Sequence, residues 1–182
     1  VLQRALSTAR RATHRVRVPA THAYTGADLK SPDLLSLSFG SSVTVTAETK
    51  DFAETPQGHI PRGHLAPIDR HEADPAQIAA LLLGTPYLWG GNSRWGIDCS
   101  GLVQAALLAC GMPCPGDSDQ QEKTVGAPVS GAYQRNDLLF WKGHVALVVD
   151  GETMIHANAH AMAVSYENIA DAIARIEAGG DG

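Results

Sequence analysis

The composition and hydrophobic pattern of the chain change near residue 70, and this change constrains the fold more than any single motif does. Before it, short runs rich in β-branched and apolar residues alternate with Gly, Pro, Ser and Asp, a pattern typical of a small all-β module. Residues 67–73 are polar and contain proline, as linkers often do. We therefore predict a small β-barrel domain over 1–68 and a second domain over 74–182. The strands predicted in the barrel are 16–18, 34–37, 43–47 and 59–61.

The second region combines helices with a hairpin. Asp74 is a suitable N-cap, and Pro75 fits the first position of a helix. After Asp98, apolar residues recur on one helical face until Gly111. Two mainly apolar segments flank the turn-forming residues 150–152 and are expected to pair as the strands of a β-hairpin. The predicted elements are helices at 75–83, 99–110 and 165–178, and strands at 144–149 and 153–158. This order of elements is an α+β plan.

Charge and composition exclude several classes of function. The 182 residues carry 14 Lys and Arg against 19 Asp and Glu, a net charge of −5, so nucleic acid is not an expected partner. No run reaches the roughly 18 apolar residues of a membrane span, and no apolar signal core accompanies the basic opening. We interpret that opening as a solvated arm or an amphipathic strap and not as a targeting peptide. Its arginines are Arg4, Arg10, Arg11, Arg15 and Arg17.

Three cysteines are too few for a disulfide framework. One is predicted at the start of a helix, one near the end of that helix and one in a loop. Cys99 lies at the start of the second helix, where backbone N–H groups and the helix dipole favour a thiolate and offer donors to an oxyanion. The alternative is a small buried apolar residue, which is how we interpret Cys110. Cys114 is a loop thiol without a second pair of ligands for zinc. No metal or cofactor is expected.

Two histidines in the predicted hairpin are candidates for the base that a catalytic thiol needs. If residues 150–152 form a three-residue loop, Val149 pairs with Thr153, and His144 and His156 become diagonal neighbours on one face. A two-residue loop would place them on opposite faces. Taken singly, each histidine is also explained as a polar residue at a strand end.

Five motifs between residues 86 and 164 follow one another in the chain. They are Tyr87-Leu88-Trp89-Gly90-Gly91, Asp98-Cys99-Ser100-Gly101, Asp137-Leu138 before Phe140-Trp141, Gly143-His144-Val145-Ala146 and His156-Ala157. Together they resemble the NlpC/p60 family of bacterial cell-wall cysteine peptidases, which have a papain-like α+β core. The resemblance implies a papain-like catalytic domain preceded by a small all-β SH3-like barrel.

The resemblance also implies roles for individual residues. Cys99 would be the nucleophile, His144 the general base, and His156 the polar residue that orients His144. Tyr87, twelve residues before the cysteine, would donate its hydroxyl to the oxyanion together with the backbone N–H of Cys99. Packing in the core with the phenol at the rim is the alternative for Tyr87.

Within the family, the chain is most similar to γ-D-glutamyl-L-diamino acid endopeptidases of the dipeptidyl-peptidase VI type. This similarity implies that Asp98 holds the free ammonium of an N-terminal L-Ala, although a plain helix N-cap explains it equally well. It places a substrate-binding serine at Asp117-Ser118, nineteen residues after Cys99, and Ser100 and Ser118 would bind the D-Glu carboxylate. The SH3-like domains of this subgroup carry Glu and an aromatic residue where this chain has Ser41 and His59.

The expected function is hydrolysis of the γ-D-Glu to diamino acid bond in murein peptides with a free amino terminus, the diamino acid being diaminopimelate or lysine. The expected partners are those peptides alone, with neither nucleic acid nor membrane, and the chain is expected to be a monomer. The cytoplasm is the expected location, with the cell envelope as the alternative. Two other functions remain open: a non-catalytic wall-binding module, and an amidase or acyltransferase on the same scaffold.

Overall fold

The computed structural model describes residues 11–179, which form two compact units. The first extends to Arg70 and the second begins at His71, close to the point where the composition of the sequence changes. Arg4 and Arg10 of the predicted basic arm lie outside the described residues. Between residues 11 and 179, none of the helices has the length and apolar character needed to cross a membrane.

The first unit is built from eight short strands and one 3₁₀ turn, Arg62–His64. The strands are β1 (His14–Val16), β2 (Ala20–Tyr24), β3 (Asp33–Ser38), β4 (Ser42–Val43), β5 (Ala47–Glu48), β6 (Phe52–Thr55), β7 (Gly58–Pro61) and β8 (Leu65–Pro67). They form an antiparallel three-stranded sheet in the order β4-β1-β8 and a five-stranded sheet in the order β3-β2-β7-β6-β5. Buried apolar residues from both sheets, among them Val16, Ala23, Val43 and Ile60, share one core.

The first unit departs from the prediction in two respects. The strand pairings of its described residues leave two separate sheets, so hydrogen bonds do not close the predicted barrel. Arg15 is not part of a solvated arm, because it is buried in β1 and its guanidinium donates to the carbonyl oxygen of Arg70 at 2.6 Å. Pairing of β1 with β4 and β8 fixes this segment, which composition alone cannot reveal.

The second unit surrounds a four-stranded antiparallel sheet with helices. The helices are α1 (Pro75–Leu81), α2 (Cys99–Ala109), α3 (Ser118–Thr124) and α4 (Ile169–Gly179). The strands are β9 (Asn92–Ser93), β10 (Gly96–Ile97), β11 (Leu138–Trp141), β12 (His144–Val148), β13 (Thr153–Asn158) and β14 (Ala163–Asn168). The last four form the sheet in chain order, and β9 and β10 form a separate short ribbon.

Helices α2 and α4 cover opposite faces of this sheet. Val145 packs with Val103 and Leu107 of α2, whereas Ala146 packs with Ile169 and Ala172 of α4. Because successive residues of a strand point to opposite faces, β12 is buried along its whole length.

The predicted hairpin register is confirmed. Leu147 pairs with Ile155 and Val148 with Met154, and the N–H of Val149 donates to the carbonyl oxygen of Thr153 at 2.8 Å. The connection therefore has the three residues 150–152, and the Asp150 carboxylate accepts from the N–H groups of Glu152 and Thr153. This loop length places His144 and His156 on the same face.

Helix starts were easier to predict than the C-terminal segment. Asp74 and Asp98 are N-caps, their side chains accepting from the N–H groups of Ala76 and Gly101. The prediction of a helix from residue 165 is wrong at its start, because 163–168 form β14 and pair with all of β13. The strand β11 and the helix α3 were not among the predicted elements.

Gly91 lies where the Tyr87 to Gly91 segment crosses the β9–β10 ribbon. A Cβ atom there would come within 2.5 Å of the Gly96 carbonyl oxygen and 2.8 Å of the Leu88 oxygen. Because both are backbone atoms, the segment would have to shift, and we expect Gly91→Ala to lower the free energy of unfolding by about 1–3 kcal/mol. Urea unfolding measures this change. Gly151→Ala is the matched control, since its nearest contact would be 3.9 Å away; an equal loss in both variants would contradict the prediction.

Candidate active site

Cys99 is the first residue of α2, and its side chain is only 6% exposed. Its sulfur lies 4.0 Å from the carbonyl oxygen of Gly143. The backbone amide of Val145 also hydrogen-bonds to the sulfur, which lowers the pKa of the thiol. Gly143 and Val145 are the residues on either side of His144, so the fold brings the start of α2 to the start of β12.

The surroundings of the Cys99 thiol raise its pKa, whereas its position at the start of a helix favours a lowered pKa. Burial raises the pKa of Cys99 above its ordinary value, and the nearby Asp98 carboxylate raises it further. Hydrogen bonds from the backbone amides of Val145, Ser100 and Cys99 oppose this rise but do not overcome it. The effect of Asp98 has the sign expected for an anion beside a thiolate. A separate base must therefore remove the thiol proton.

His144 and His156 form a buried pair. Nε2 of His144 lies 2.8 Å from Nδ1 of His156, with the ring centroids 5.1 Å apart. The indole of Trp141 lies against the His144 ring, at a centroid distance of 5.8 Å. Because His156 occupies Nε2, Nδ1 is the nitrogen of His144 that remains available to the thiol.

Both imidazoles are neutral near neutral pH. Burial, together with the neighbouring His156, lowers the pKa of His144 to about 4. Burial likewise lowers the pKa of His156 to about 4, although the Glu167 carboxylate opposes this shift. The directions of these pKa shifts favour a neutral His144 beside a protonated thiol, with Nδ1 of His144 outside the hydrogen bond to His156.

Sequence reasoning missed Glu167 and Arg175, which continue the chain of hydrogen bonds. Oε2 of Glu167 lies 2.9 Å from Nε2 of His156, and Arg175 donates to both Glu167 oxygens at 3.0 and 2.9 Å. Glu167 belongs to β14 and Arg175 to α4. The predicted helix over 165–178 concealed this contact. With residues 163–168 as a strand beside β13, Glu167 pairs with Met154 and becomes a diagonal neighbour of His156.

Tyr87 lies beside the thiol. Its backbone N–H donates to the Met162 carbonyl oxygen at 2.9 Å, and it bridges to Ile97 just before the start of α2. Its phenol is partly buried, which raises the pKa of Tyr87, and the charges of Cys99 and Asp98 raise it further. The structure therefore brings Tyr87 together with Cys99 and Asp98.

Asp98 connects two segments of the site. Its Oδ1 accepts from the N–H of Gly101 at 2.7 Å and from the Ser100 hydroxyl at 3.2 Å, while its Oδ2 accepts from the N–H of Gly90 at 2.8 Å. The N-cap role is thus confirmed. The Ser100 hydroxyl is buried and directed at this carboxylate.

Comparison with known proteins identifies the family. Residues 84–176, about half of the chain, match the NlpC/P60 family. The chain belongs to the NlpC/P60 family. A crystal structure of an NlpC/P60 family protein from Bacillus cereus has the same fold, with a TM-score of 0.74 at 24% identity over 86% of this chain and 58% of that one.

Two curated relatives of this NlpC/P60 chain are named as dipeptidyl-peptidases. A γ-D-glutamyl-L-lysine dipeptidyl-peptidase of Bacillus subtilis is 41% identical over 93 residues, covering 46% of this chain and 31% of the relative. A dipeptidyl-peptidase 6 of Lysinibacillus sphaericus is 41% identical over 86 residues, covering 45% and 31%. The chain thus spans about a third of the length of each of these relatives.

The remaining predicted site residues of the NlpC/P60 domain lie on α3. Asp117 is its exposed N-cap residue and accepts from the Gln120 side chain at 3.2 Å; Ser118 begins the helix and is half-buried. The buried Gln121 of α3 donates to the carbonyl oxygen of Ser100 at 2.9 Å, so α3 packs near the start of α2. Within residues 11–179, no group of three or more His, Cys, Asp or Glu side chains is arranged to hold a metal ion.

Proposed function

We propose that this NlpC/P60 chain is a cysteine peptidase that hydrolyses the γ-D-glutamyl to L-diamino acid bond of murein peptides with a free N-terminal L-Ala. One observation carries the proposal: a buried thiol at the start of α2 is held by backbone atoms on both sides of His144, whose Nε2 is bonded to His156. The names of the curated relatives support the choice of substrate.

In the proposed reaction, the proton of Cys99 moves to Nδ1 of His144 as the sulfur attacks the γ-carbonyl carbon of D-Glu. The backbone N–H of Cys99 and the hydroxyl of Tyr87 stabilise the oxyanion. Collapse breaks the C–N bond, and His144 returns the proton to the departing amine of the diamino acid. Water then attacks the thioester with His144 as base, which releases L-Ala-γ-D-Glu and restores the thiol.

The requirement for a free amine is assigned to Asp98. Two backbone N–H groups and one hydroxyl fix its carboxylate, and a carboxylate offers about four acceptor positions. One position on Oδ2 remains for the ammonium of L-Ala. Acetylation removes the ammonium charge and leaves this carboxylate facing an amide, which costs binding energy. Peptides with a free amino terminus are already detached from glycan, so turnover products are the proposed substrates. Ser118 remains a candidate for contact with the D-Glu carboxylate and Asp117 for contact with the peptide beside it, whereas the single donor of the Ser100 hydroxyl is already used on Asp98.

We also propose that the first unit is an SH3-like module. The eight short antiparallel strands and their single core support this assignment. The fold likeness to the Bacillus cereus protein extends beyond the second unit, because 86% of this chain is more than that unit contains.

The test compares L-Ala-γ-D-Glu-diaminopimelate, its lysine analogue and the N-acetylated form of each, with products followed by mass spectrometry. We expect cleavage of the free peptides at the γ-D-Glu bond and little cleavage of the acetylated ones. Equal cleavage of both forms would rule out the free-amine requirement. If neither form is cleaved and Cys99 is not alkylated, the wall-binding alternative is favoured. Alkylation without cleavage favours an amidase or acyltransferase.

Asp98→Asn separates substrate binding from thiol chemistry. The variant keeps an oxygen that can cap α2 but loses the charge, so we expect KM for the free peptide to rise about 10–100-fold. Alkylation of Cys99 by iodoacetamide should not slow, because removal of the anion favours the thiolate. Asp119→Asn, which alters an exposed ion pair with Lys123, is the matched control. An unchanged KM in Asp98→Asn would contradict the assignment.

A further inference from the structure

Four side chains from four elements form one continuous line of hydrogen bonds. It leads from His144 of β12 to His156 of β13, then to Glu167 of β14 and Arg175 of α4. The proposed reaction assigns roles to the two histidines, which are at the end of the line nearest Cys99, but none to Glu167 or Arg175. The Glu167–Arg175 end lies on the sheet face that α4 covers.

The direction of every hydrogen bond in the line follows from its last members. Arg175 has only donors, and it occupies both oxygens of Glu167, which keeps the pKa of that carboxyl low and the group ionised. An ionised carboxylate only accepts, so Nε2 of His156 must carry a hydrogen. Nδ1 of a neutral His156 is then bare and accepts from Nε2–H of His144. Nδ1 of His144 is consequently bare as well.

A bare Nδ1 on His144 is the form that can take the proton of Cys99. In the opposite tautomer, Nδ1 would carry a hydrogen and the base would be blocked. Neither histidine can select between the two forms alone, because a neutral pair is equally able to bond in either direction. The selection must come from a group with a fixed polarity, and Glu167 is the group that contacts the far nitrogen of the pair.

We propose that Glu167, held by Arg175, is a positioning residue that fixes the tautomers of His156 and His144 so that Nδ1 of His144 carries no hydrogen and can act as the base for Cys99. This inference rests on the proposed peptidase function for its kinetic consequence. Its structural content, the tautomer of each ring, does not depend on the substrate.

Arg175 determines what is expected when Glu167 is removed, because Arg175 is a cationic donor and Glu167 is an anionic acceptor. The same Glu167 oxygen accepts from both Arg175 and His156, at 2.9 Å in each case. If an apolar side chain replaced Glu167, the guanidinium would be the nearest polar group to Nε2 of His156. It would favour a bare Nε2, and both histidines would change to the tautomer with hydrogen on Nδ1. Glu167→Leu is thus expected to reverse the donor and acceptor roles in the hydrogen bond between the two histidines. Glu167→Gln retains an acceptor oxygen and should not reverse them.

The first measurement uses the unaltered chain and needs no substrate. Nitrogen-15 NMR of labelled histidine near neutral pH should show hydrogen on Nε2 and none on Nδ1 in both His144 and His156. Hydrogen on Nδ1 of either ring would overturn the proposal. This result stands even if Glu167→Leu does not fold.

The second measurement compares Glu167→Leu with Glu167→Gln and with Glu177→Leu, an exposed control on α4. In Glu167→Leu we expect hydrogen on Nδ1 of both rings, kcat lowered roughly 10²-fold and KM changed less than roughly threefold. Glu167→Gln should keep the native tautomers and lose less than roughly tenfold in kcat, and the control should match the wild type. Native tautomers and kcat in a folded Glu167→Leu would overturn the proposal. If the wild type cleaves no peptide, the proposed function fails, while the NMR result still decides the tautomers.

Discussion

Replacing Cys99 with alanine is expected to lower kcat on the free-amine peptide by at least about 10⁴-fold, the scale of loss when a covalent nucleophile is removed. The other two cysteines of the described residues are not expected to substitute, because neither begins a helix and neither is bonded to the backbone beside His144. Stability should change little, since a small and nearly buried side chain is replaced by one of similar volume. Steady-state hydrolysis followed by mass spectrometry measures the loss.

The matched control is Cys114→Ala, which removes a half-buried thiol that packs against the same cluster as Cys99 but has no proposed catalytic role. Burial raises the pKa of Cys114 to about 11, so its reaction with iodoacetamide should be slow. A trapped acyl-enzyme should add its mass to the wild type and to Cys114→Ala but not to Cys99→Ala. Retention of activity by Cys99→Ala would refute the proposed mechanism.

The second large effect is acid destabilisation of the second unit. Burial lowers the pKa of His144 and of His156 to about 4, below the ordinary value of 6.5. Their contribution to stability is therefore complete above about pH 6.5 and is lost as the pH falls toward about 4, because the unfolded chain binds more protons. Two such groups give a slope of up to about 2.7 kcal/mol per pH unit. The lowered pKa of Glu167 adds a loss of the same sign at still lower pH.

Tryptophan fluorescence during urea unfolding isolates this effect, because all three tryptophans, Trp89, Trp95 and Trp141, belong to the second unit. The free energy of unfolding should fall steeply between about pH 6.5 and about pH 4.5. His156→Gln, which cannot take up the second proton, should roughly halve the slope. His71→Gln, at an exposed position, should leave it unchanged. A stability independent of pH in this range would show that the pair is not buried in its neutral form.

The parts of the fold that follow from local chemistry could be predicted. The caps at Asp74 and Asp98 place a carboxylate directly before a helix, and each accepts from a free N–H of the first turn. The hairpin register follows from the number of turn residues between two apolar runs. Because that register decides whether His144 and His156 share a face, the sequence was enough to predict that these two side chains meet.

The parts that depend on tertiary pairing could not be predicted. Residues 165–168 precede a true helix and carry no strong strand signal, yet pairing with β13 extends them. Glu167 consequently gained its place beside His156 from the sheet and not from its own neighbours in sequence. The pKa of Cys99 shows the same limit, because the helix terminus is visible in the sequence but the burial that outweighs it is not.

The three-residue turn at 150–152 has a consequence for how this chain can vary. Surface loops usually tolerate changes of length, and exposed turns are common places for inserted tags. Here the loop acts as a spacer that determines which side of β13 meets His144. An inserted residue that shifts the register between β12 and β13 by one position would turn His156 to the other face of the sheet. The sheet would still fold, but His144 would lose its hydrogen-bond partner. Length at this turn should therefore be under tighter constraint than the identity of the residues that form it.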